Sequence, residues 1–489
     1  MSDMTEMDRK AREILEGLPE RITPRDRMAI PKQEMPSQDP VERIKNMSEV
    51  ALGYTRAMAV AEANRCLDCR NAPCVSGCPV RIDIPGFIRK VKEEDFEGAL
   101  EVIQESSILP SICGRVCPQE SQCQMHCTVG KAFKSVDKAV AIGRIERFVA
   151  DANAEKENIP ECGVPTGKKV CVVGSGPASI ACAADLRKAG HEVVMYEALH
   201  KCGGVLSYGI PEFRLPKKLV DREIEKLERM GVRIERNFLV GRTRTVNALM
   251  EEDGFDAVFV GSGAGLPKFL GIPGENLVGV LSANEYLTRN NLMKAYDKRS
   301  RTPQFLAKRV AVLGGGNVAM DAARTALRLG AEAVDIVYRR TRAEMPARAE
   351  EVEHAAEEGC SILELNQPVE ILGDENGCVM GMKMRRCELG PADASGRRSP
   401  VEIEGSEYCR EYKAVIVAIG NSSNPLIRMT TPGIEANGRG NFIVDEETNE
   451  TSMKGVWAGG DIVLGAATVI LAMGQGRKAA KAMNEYLRS

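Results

Sequence analysis

Eight cysteines between Cys66 and Cys127 form the densest reactive grouping in the chain, and their spacing sorts them into two runs of four. The first is Cys66-x2-Cys69-x4-Cys74-x3-Cys78-Pro79; the second is Cys113-x3-Cys117-Pro118-x4-Cys123-x3-Cys127. Thiolates this close in sequence let one loop wrap several corners of a metal centre, and the Cys-Pro in each run suits two 4Fe-4S cubanes. In two-cluster ferredoxins the cysteine before proline crosses to the other cube, so Cys66, Cys69 and Cys74 are expected on one cluster while Cys78 joins ligands of the second run. Structural zinc is the alternative, because a four-thiolate zinc site needs the same number of cysteines. Zinc sites usually pair two separated Cys-x2-Cys knuckles, and only one Cys-x2-Cys occurs here. The remaining Cys162, Cys171, Cys182, Cys202, Cys360, Cys378, Cys387 and Cys409 are scattered singly and read as small core residues.

Two glycine turns carry a second kind of chemistry. Lys169 to Val173 is a compact apolar strand that runs into Gly174-Ser-Gly176-Pro177-Ala178-Ser179, an alanine-rich helix, Gly190 and a second strand ending at Glu197. Glycines let the backbone approach a pyrophosphate, the helix start offers free N-H groups, and an acid 23 residues after Gly174 suits ribose hydroxyls. Ser179 replaces the usual third glycine, yet it is small enough for close helix packing. The second unit reads Gly314-Gly-Gly316-Asn317-Val318, followed by a helix and the strand Ala333 to Tyr338. Where a diol-reading acid would stand, it carries Arg339-Arg340-Thr-Arg342. Guanidinium forks match a 2'-phosphate, so NADPH is expected over NADH, with Arg339 and Arg340 as its partners. A third cluster, Gly261-Ser-Gly263-Ala-Gly265, is followed by Leu-Pro and no helix, and reads as a crossing turn between domains.

The C-terminal stretch decides which turn takes flavin. Gly455-Val-Trp-Ala-Gly-Gly460-Asp461 is a strand into a glycine pair and a carboxylate, next to a helix over Ala466 to Met483. Such an acid beside a helix start suits a ribityl chain and the pyrimidine edge of a flavin. FAD is therefore expected at Gly174, Gly176, Pro177, Ala178, Ser179, Glu197, Gly203, Gly204, Gly460, Asp461, Ala467 and Thr468. No side chain is assigned a catalytic step, because the flavin carries the chemistry.

Positioning these groups requires several domains, and 489 residues exceed a single core. The expected layout is an N-terminal arm at 1–45, a helical domain with two 4Fe-4S clusters at 46–160, an FAD domain at 161–305 and 415–489, and an NADPH domain at 306–414. The fold class is α/β, with two Rossmann-like, glutathione-reductase-like nucleotide domains. The FAD domain is discontinuous and the helical iron-sulfur domain precedes it. Lys+Arg (66) and Asp+Glu (69) nearly cancel without long blocks of one sign, which gives no reason to expect nucleic acid or an anionic membrane. No run of 18 apolar residues occurs and the first 20 residues hold no signal core, so a cytoplasmic protein is expected.

The chain resembles the small (beta) subunit of NADPH-dependent glutamate synthase and, more closely, the large subunit of NADH-dependent reduced ferredoxin:NADP oxidoreductase. The resemblance spans about residues 35 to 487 and rests on Arg43-Ile-Lys-Asn46, the eight cysteines, Ile142-Gly-Arg-Ile-Glu-Arg-Phe148, Tyr338-Arg-Arg-Thr341, Glu344-Met-Pro346 and Ala458-Gly-Gly-Asp461. It implies ligand sets of Cys66, Cys69, Cys74 and Cys127, and of Cys78, Cys117 and Cys123 with Glu146 or Cys113. It also implies an enzyme that exchanges hydride between NADP(H) and FAD, and single electrons between the clusters and a second subunit or a ferredoxin-type acceptor. Other readings are the large subunit of an electron-bifurcating ferredoxin:NADP transhydrogenase and, from another class, a scaffold that binds nucleotides without catalysis.

Overall fold

The structure, a computed structural model, describes residues 2–156, 159–392 and 396–489. Up to Asn153 the chain is built of short helices, among them Arg56–Asn64, Ile84–Lys92, Phe96–Ser106, Pro110–Val116 and Ile142–Ala152. Their starts are set locally: Asp83 and Asp95 cap two of them by accepting the N-H groups of Gly86 and Gly98, and Pro110 opens a third. Phe87, Ile88, Val91, Ile103, Ile145 and Val149 form a core of their own, and Cys78, Cys123 and Cys127 belong to it. The expected arm at 1–45 contains the helices Ser2–Glu16, Pro24–Ala29 and Pro40–Arg43, the first of which packs Ala11 against the helix Arg56–Asn64.

Two five-stranded parallel sheets follow. The first runs in the order Val456–Ala458, Ala257–Val260, Lys169–Val173, Glu192–Glu197 and Arg233–Arg236. The C-terminal strand lies beside one near residue 260, with Ala458 opposite Val260, so this domain is discontinuous. The second sheet orders Val280–Ser282, Ala414–Val417, Arg309–Leu313, Ala333–Tyr338 and Ser361–Glu364. Both central strands are buried almost throughout, as strands covered by helices on two faces must be. An antiparallel sheet of Asn366–Gly373, Val379–Ala392, Arg398–Glu402 and Tyr408–Glu411 is attached to the second domain.

Strand pairing moves two expected boundaries. The strand Ala414–Val417, which the expected limit at 414/415 splits between the NADPH and FAD domains, pairs with Arg309–Leu313 and with Val280–Ser282 in the second sheet. The expected limits at 305/306 and 414/415 therefore cut through the second domain. The chain crosses at Leu266–Pro267 and returns at Asn421–Ser422, and these two segments pair antiparallel. The glycine cluster just before Leu266 leads into the first crossing, as its lack of a following helix suggested.

The helix Pro110–Val116 does not stay in the helical domain. Leu109, Ile112, Cys113, Val116 and Cys117 share a core with Ala178, Ala181, Leu219, Ile224 and Met473 of the first sheet domain.

Candidate redox centre

The turns after Arg56–Asn64 bring four thiols to one cavity. Cys66, Cys69, Cys74 and Cys127 line it together with Leu67, Pro73, Ile84, Pro85, Ile88 and Val140. Asp68 and Ala72 take left-handed backbone (φ 52° and 34°) to turn the chain around it. Lys92 Nζ donates to the Cys66 carbonyl at 3.0 Å, and Cys69 Sγ lies 3.2 Å from Thr128 Oγ1. Burial pushes the Cys74 thiol up to about 12, and Cys66, Cys127 and Cys69 add to the rise. Thiols crowded this way are released from the penalty when a metal centre takes them as thiolates.

The second set lies deeper. Cys78, Cys117 and Cys123 are buried, and they face Glu146 from the helix Ile142–Ala152. Cys113 stands one helical turn before Cys117, whose N-H donates to the Cys113 carbonyl at 3.0 Å. The adjacent Cys113 and burial push the Cys117 thiol well above the ordinary range, and burial does the same to Cys123. Glu146 is only 6% exposed, its Oε1 has no hydrogen-bond partner, and burial pushes its carboxyl up to about 8. A lone buried carboxylate is costly, so an orphaned carboxylate oxygen whose charge is felt by three buried thiols fits an iron-sulfur cluster with one oxygen ligand.

The first glycine turn is shaped for a dinucleotide. Gly174 has φ 88°, and a Cβ there would stand 2.6 Å from the Gly261 carbonyl, whereas the space beside Gly176 is open. Glu197 is buried at the end of its strand, where it accepts the Ser175 hydroxyl and the Leu199 N-H. Ser175 Oγ accepts the Gly203 N-H at 2.9 Å, and Gly204 sits over Gly176 closely enough that a Cβ would be 3.0 Å from its Cα. Ser179 packs its hydroxyl toward Val173 and Gly261, the close approach that a third glycine would allow. From the far end of the chain, Gly460 meets Ala178, and Asp461 Oδ1 accepts the Ala467 N-H at 3.1 Å. Burial pushes the Asp461 carboxyl up to about 6. Thr468 caps the helix Val469–Arg488. These contacts bring Glu197, Gly203, Gly204, Gly460 and Asp461 around the turn at Gly174–Ser179, where Pro177 is the first residue of its helix.

The second turn repeats the design. Gly314 has φ 143°, with the Ala418 carbonyl 2.3 Å from a Cβ position, and Gly316 again faces open space. Asn317 and the exposed Val318 start the helix Asn317–Arg328. Arg339, at the end of the adjacent strand, is exposed and has no hydrogen-bond or ion-pair partner among the described residues. Arg340 differs: it is buried, and its Nε donates to the Arg398 carbonyl at 2.7 Å. Arg342 pairs with Glu364 at 3.2 Å.

Residues 168–482 match the pyridine nucleotide-disulphide oxidoreductase family, and residues 43–158 match dihydropyrimidine dehydrogenase domain II, 4Fe-4S cluster. The glutamate synthase [NADPH] small chain of Azospirillum brasilense is 37% identical over 94% of this chain and 95% of its own. The chain belongs to the glutamate synthase small-chain family. The beta subunit of an NADP(+)-dependent formate dehydrogenase from Moorella thermoacetica is 38% identical over 85% of this chain, which spans only 60% of that longer relative. Among solved structures, Mycobacterium tuberculosis FprA in complex with NADPH covers 66% of this chain and 84% of its own at 21% identity, with a TM-score of 0.56; this likeness concerns the fold.

Within this family frame, three residues stand out that sequence patterns did not single out. Tyr208 lies within electrostatic reach of Asp461 and Glu197, and burial, with those two acids, pushes its phenol up to about 12. Gln475 accepts the Gly460 N-H at 2.8 Å and so holds the turn before Asp461. Arg397 donates to the Tyr338 hydroxyl at 3.0 Å, beside the arginine pair. The glycine and cysteine spacings carry a visible signal; these three lie in stretches without one.

Proposed function

We propose that this chain is the electron-input subunit of a two-part enzyme: it takes hydride from NADPH and delivers single electrons through its clusters to a partner subunit. The chain is an NADPH oxidoreductase of the glutamate synthase small-chain type, with FAD, NADP(H) and 4Fe-4S clusters as its cofactors. Bound flavin accepts electrons in pairs and releases them singly, a conversion needed between a nicotinamide and an iron-sulfur cube.

The residues have separable tasks. The first cluster is assigned to Cys66, Cys69, Cys74 and Cys127, and the second to Cys78, Cys117, Cys123 and Glu146. Gly174, Gly176 and the start of the helix Pro177–Lys188 would receive the FAD pyrophosphate, with Glu197 exchanging its present hydrogen bonds for ribose hydroxyls. Gly314, Gly316 and Asn317 would receive the pyrophosphate of NADP(H), while Arg339 takes the 2'-phosphate. Arg340, already tied to the Arg398 carbonyl, holds the arginine turn in place and keeps its Nη groups for the same phosphate.

The observation that carries this reading is the helix Pro110–Val116, which holds Cys113, leads into Cys117, and is packed in the FAD domain's own core. The second thiol set is thereby fixed against the flavin domain rather than tethered by the linker near residue 160. The test is stopped-flow reduction of the anaerobic protein by NADPH. Flavin bleaching followed by cluster reduction within the same chain supports the reading. Flavin bleaching that never reaches the clusters refutes it.

A further inference from the structure

A chain of hydrogen bonds joins the nucleotide turn of the second domain to the loop around Cys117. The Ala347 N-H donates to the Gly315 carbonyl at 3.1 Å, and the Arg348 N-H donates to Asn317 Oδ1 at 3.0 Å. One residue's side chain then spans to the helical domain. Arg348 Nη1 donates to the Arg115 carbonyl at 2.8 Å, and Nη2 donates to Gln119 Oε1 at 3.2 Å and to Glu350 Oε2 at 3.0 Å. The Ala349 N-H completes the strap by donating to Glu120 Oε1 at 3.2 Å. Arg115, Gln119 and Glu120 flank Cys117 on both sides.

We propose that Arg348 is a positioning residue through which occupancy of the nucleotide turn acts on the second cluster. This rests on the cofactor assignments above. Arg348 is only 8% exposed, and its charge is felt by the Cys117 thiol. Gln119 cannot yield freely, because a Cβ on Gly143, in the helix that carries Glu146, would stand 2.0 Å from its Nε2. A pyrophosphate bound over Gly315 and Asn317 is itself an acceptor, and it competes with the Gly315 carbonyl and Asn317 Oδ1 for the Ala347 and Arg348 N-H groups. The guanidinium then shifts against Cys117 in a poorly screened interior, where small displacements change the field. Coupling of this kind is reciprocal: nucleotide moves the cluster's potential, and the cluster's redox state changes nucleotide affinity by the same factor.

The experiment is a potentiometric titration followed by electron paramagnetic resonance, on the anaerobic holoprotein with and without saturating 2'-phospho-ADP-ribose. That probe keeps the pyrophosphate and 2'-phosphate but has no nicotinamide to titrate. The expected result is a shift of the second cluster's midpoint with the first cluster unmoved; a tenfold affinity difference between redox states reads as about 59 mV. Arg348→Gln should abolish the shift while iron content and probe binding persist. An unmoved second cluster in the wild type, or an equal shift in Arg348→Gln, overturns the proposal. If Arg348→Gln loses iron, Arg348→Lys decides, because it keeps the buried charge without the fork: a reduced shift supports the strap and an undiminished one refutes it. A wild type without iron, or one that fails to bind the probe, fails the cofactor assignments themselves, and the proposal falls with them.

Discussion

Arg43, ahead of the cysteine region, sets its Nε 2.7 Å from a carboxylate oxygen of Glu358 in the NADPH domain, with both side chains almost wholly buried. Glu358 also accepts Arg324 at 2.8 Å and Arg328 at 2.6 Å, and Arg43 reaches Glu357 as well. Removing the shared carboxylate leaves buried Arg328 without a carboxylate partner and takes one of two from Arg43 and from Arg324, so Glu358→Gln should cost about 3–5 kcal/mol. Arg43→Gln should cost less, since two arginines still hold Glu358. Urea denaturation of both variants checks the order, and a larger loss in Arg43→Gln would reject it.

The iron count tests the ligand sets. Anaerobically purified protein should hold close to eight irons and one FAD per chain, as two cubanes require. Glu146→Ala should lose or convert the second cluster, while Cys113→Ser keeps it. Loss of iron in Cys113→Ser with a normal Glu146→Ala would restore an all-cysteine second site.

Nucleotide preference should divide unequally between the two arginines. Arg339→Ala should weaken NADPH binding at least tenfold and leave NADH nearly unchanged, because only the former loses a phosphate partner. Arg340→Ala should weaken both nucleotides, because it also frees the turn held at the Arg398 carbonyl. Titration of each variant with NADPH and NADH separates the roles; equal losses for both nucleotides in Arg339→Ala would show that this arginine merely faces solvent.

Lys217 makes stability depend on alkaline pH. Its ammonium donates to the carbonyls of Leu206, Ile210 and Leu215, and burial pushes its pKa down to about 8. In the unfolded chain a lysine holds its proton to about 10.4. Between these values the unfolded state binds more protons, so folding stability rises as pH rises from about 8 toward 10. The wild-type denaturation midpoint should rise relative to that of Lys217→Met across that window. A flat difference would mean that the ammonium keeps its ordinary pKa in the fold.

Both Rossmann units were legible because a glycine turn flanked by an apolar strand and a small-residue helix has few other uses. The cysteine runs were legible for the same reason: their types and spacing restrict the chemistry. The domain limits were not. Ala414–Val417 is four buried apolar residues, and such a strand reads alike whichever sheet it joins. Glu146 sits in an unremarkable amphipathic helix; only its burial beside three thiols distinguishes it. The Arg348 contacts span more than 200 residues of sequence, and no local period signals them.

The paired crossings at Leu266–Pro267 and Asn421–Ser422 limit how the NADPH domain can move. Two separate linkers would permit swivelling in any direction, but two strands bonded side by side behave like a door hung on adjacent pins, with one axis of swing. Arg43, Arg348 and Arg214, whose guanidinium holds Asp321 at 2.7 Å, then act as latches on that swing. Opening the door costs the release of all three together, so nucleotide exchange should proceed through rare, concerted swings rather than continuous wobble.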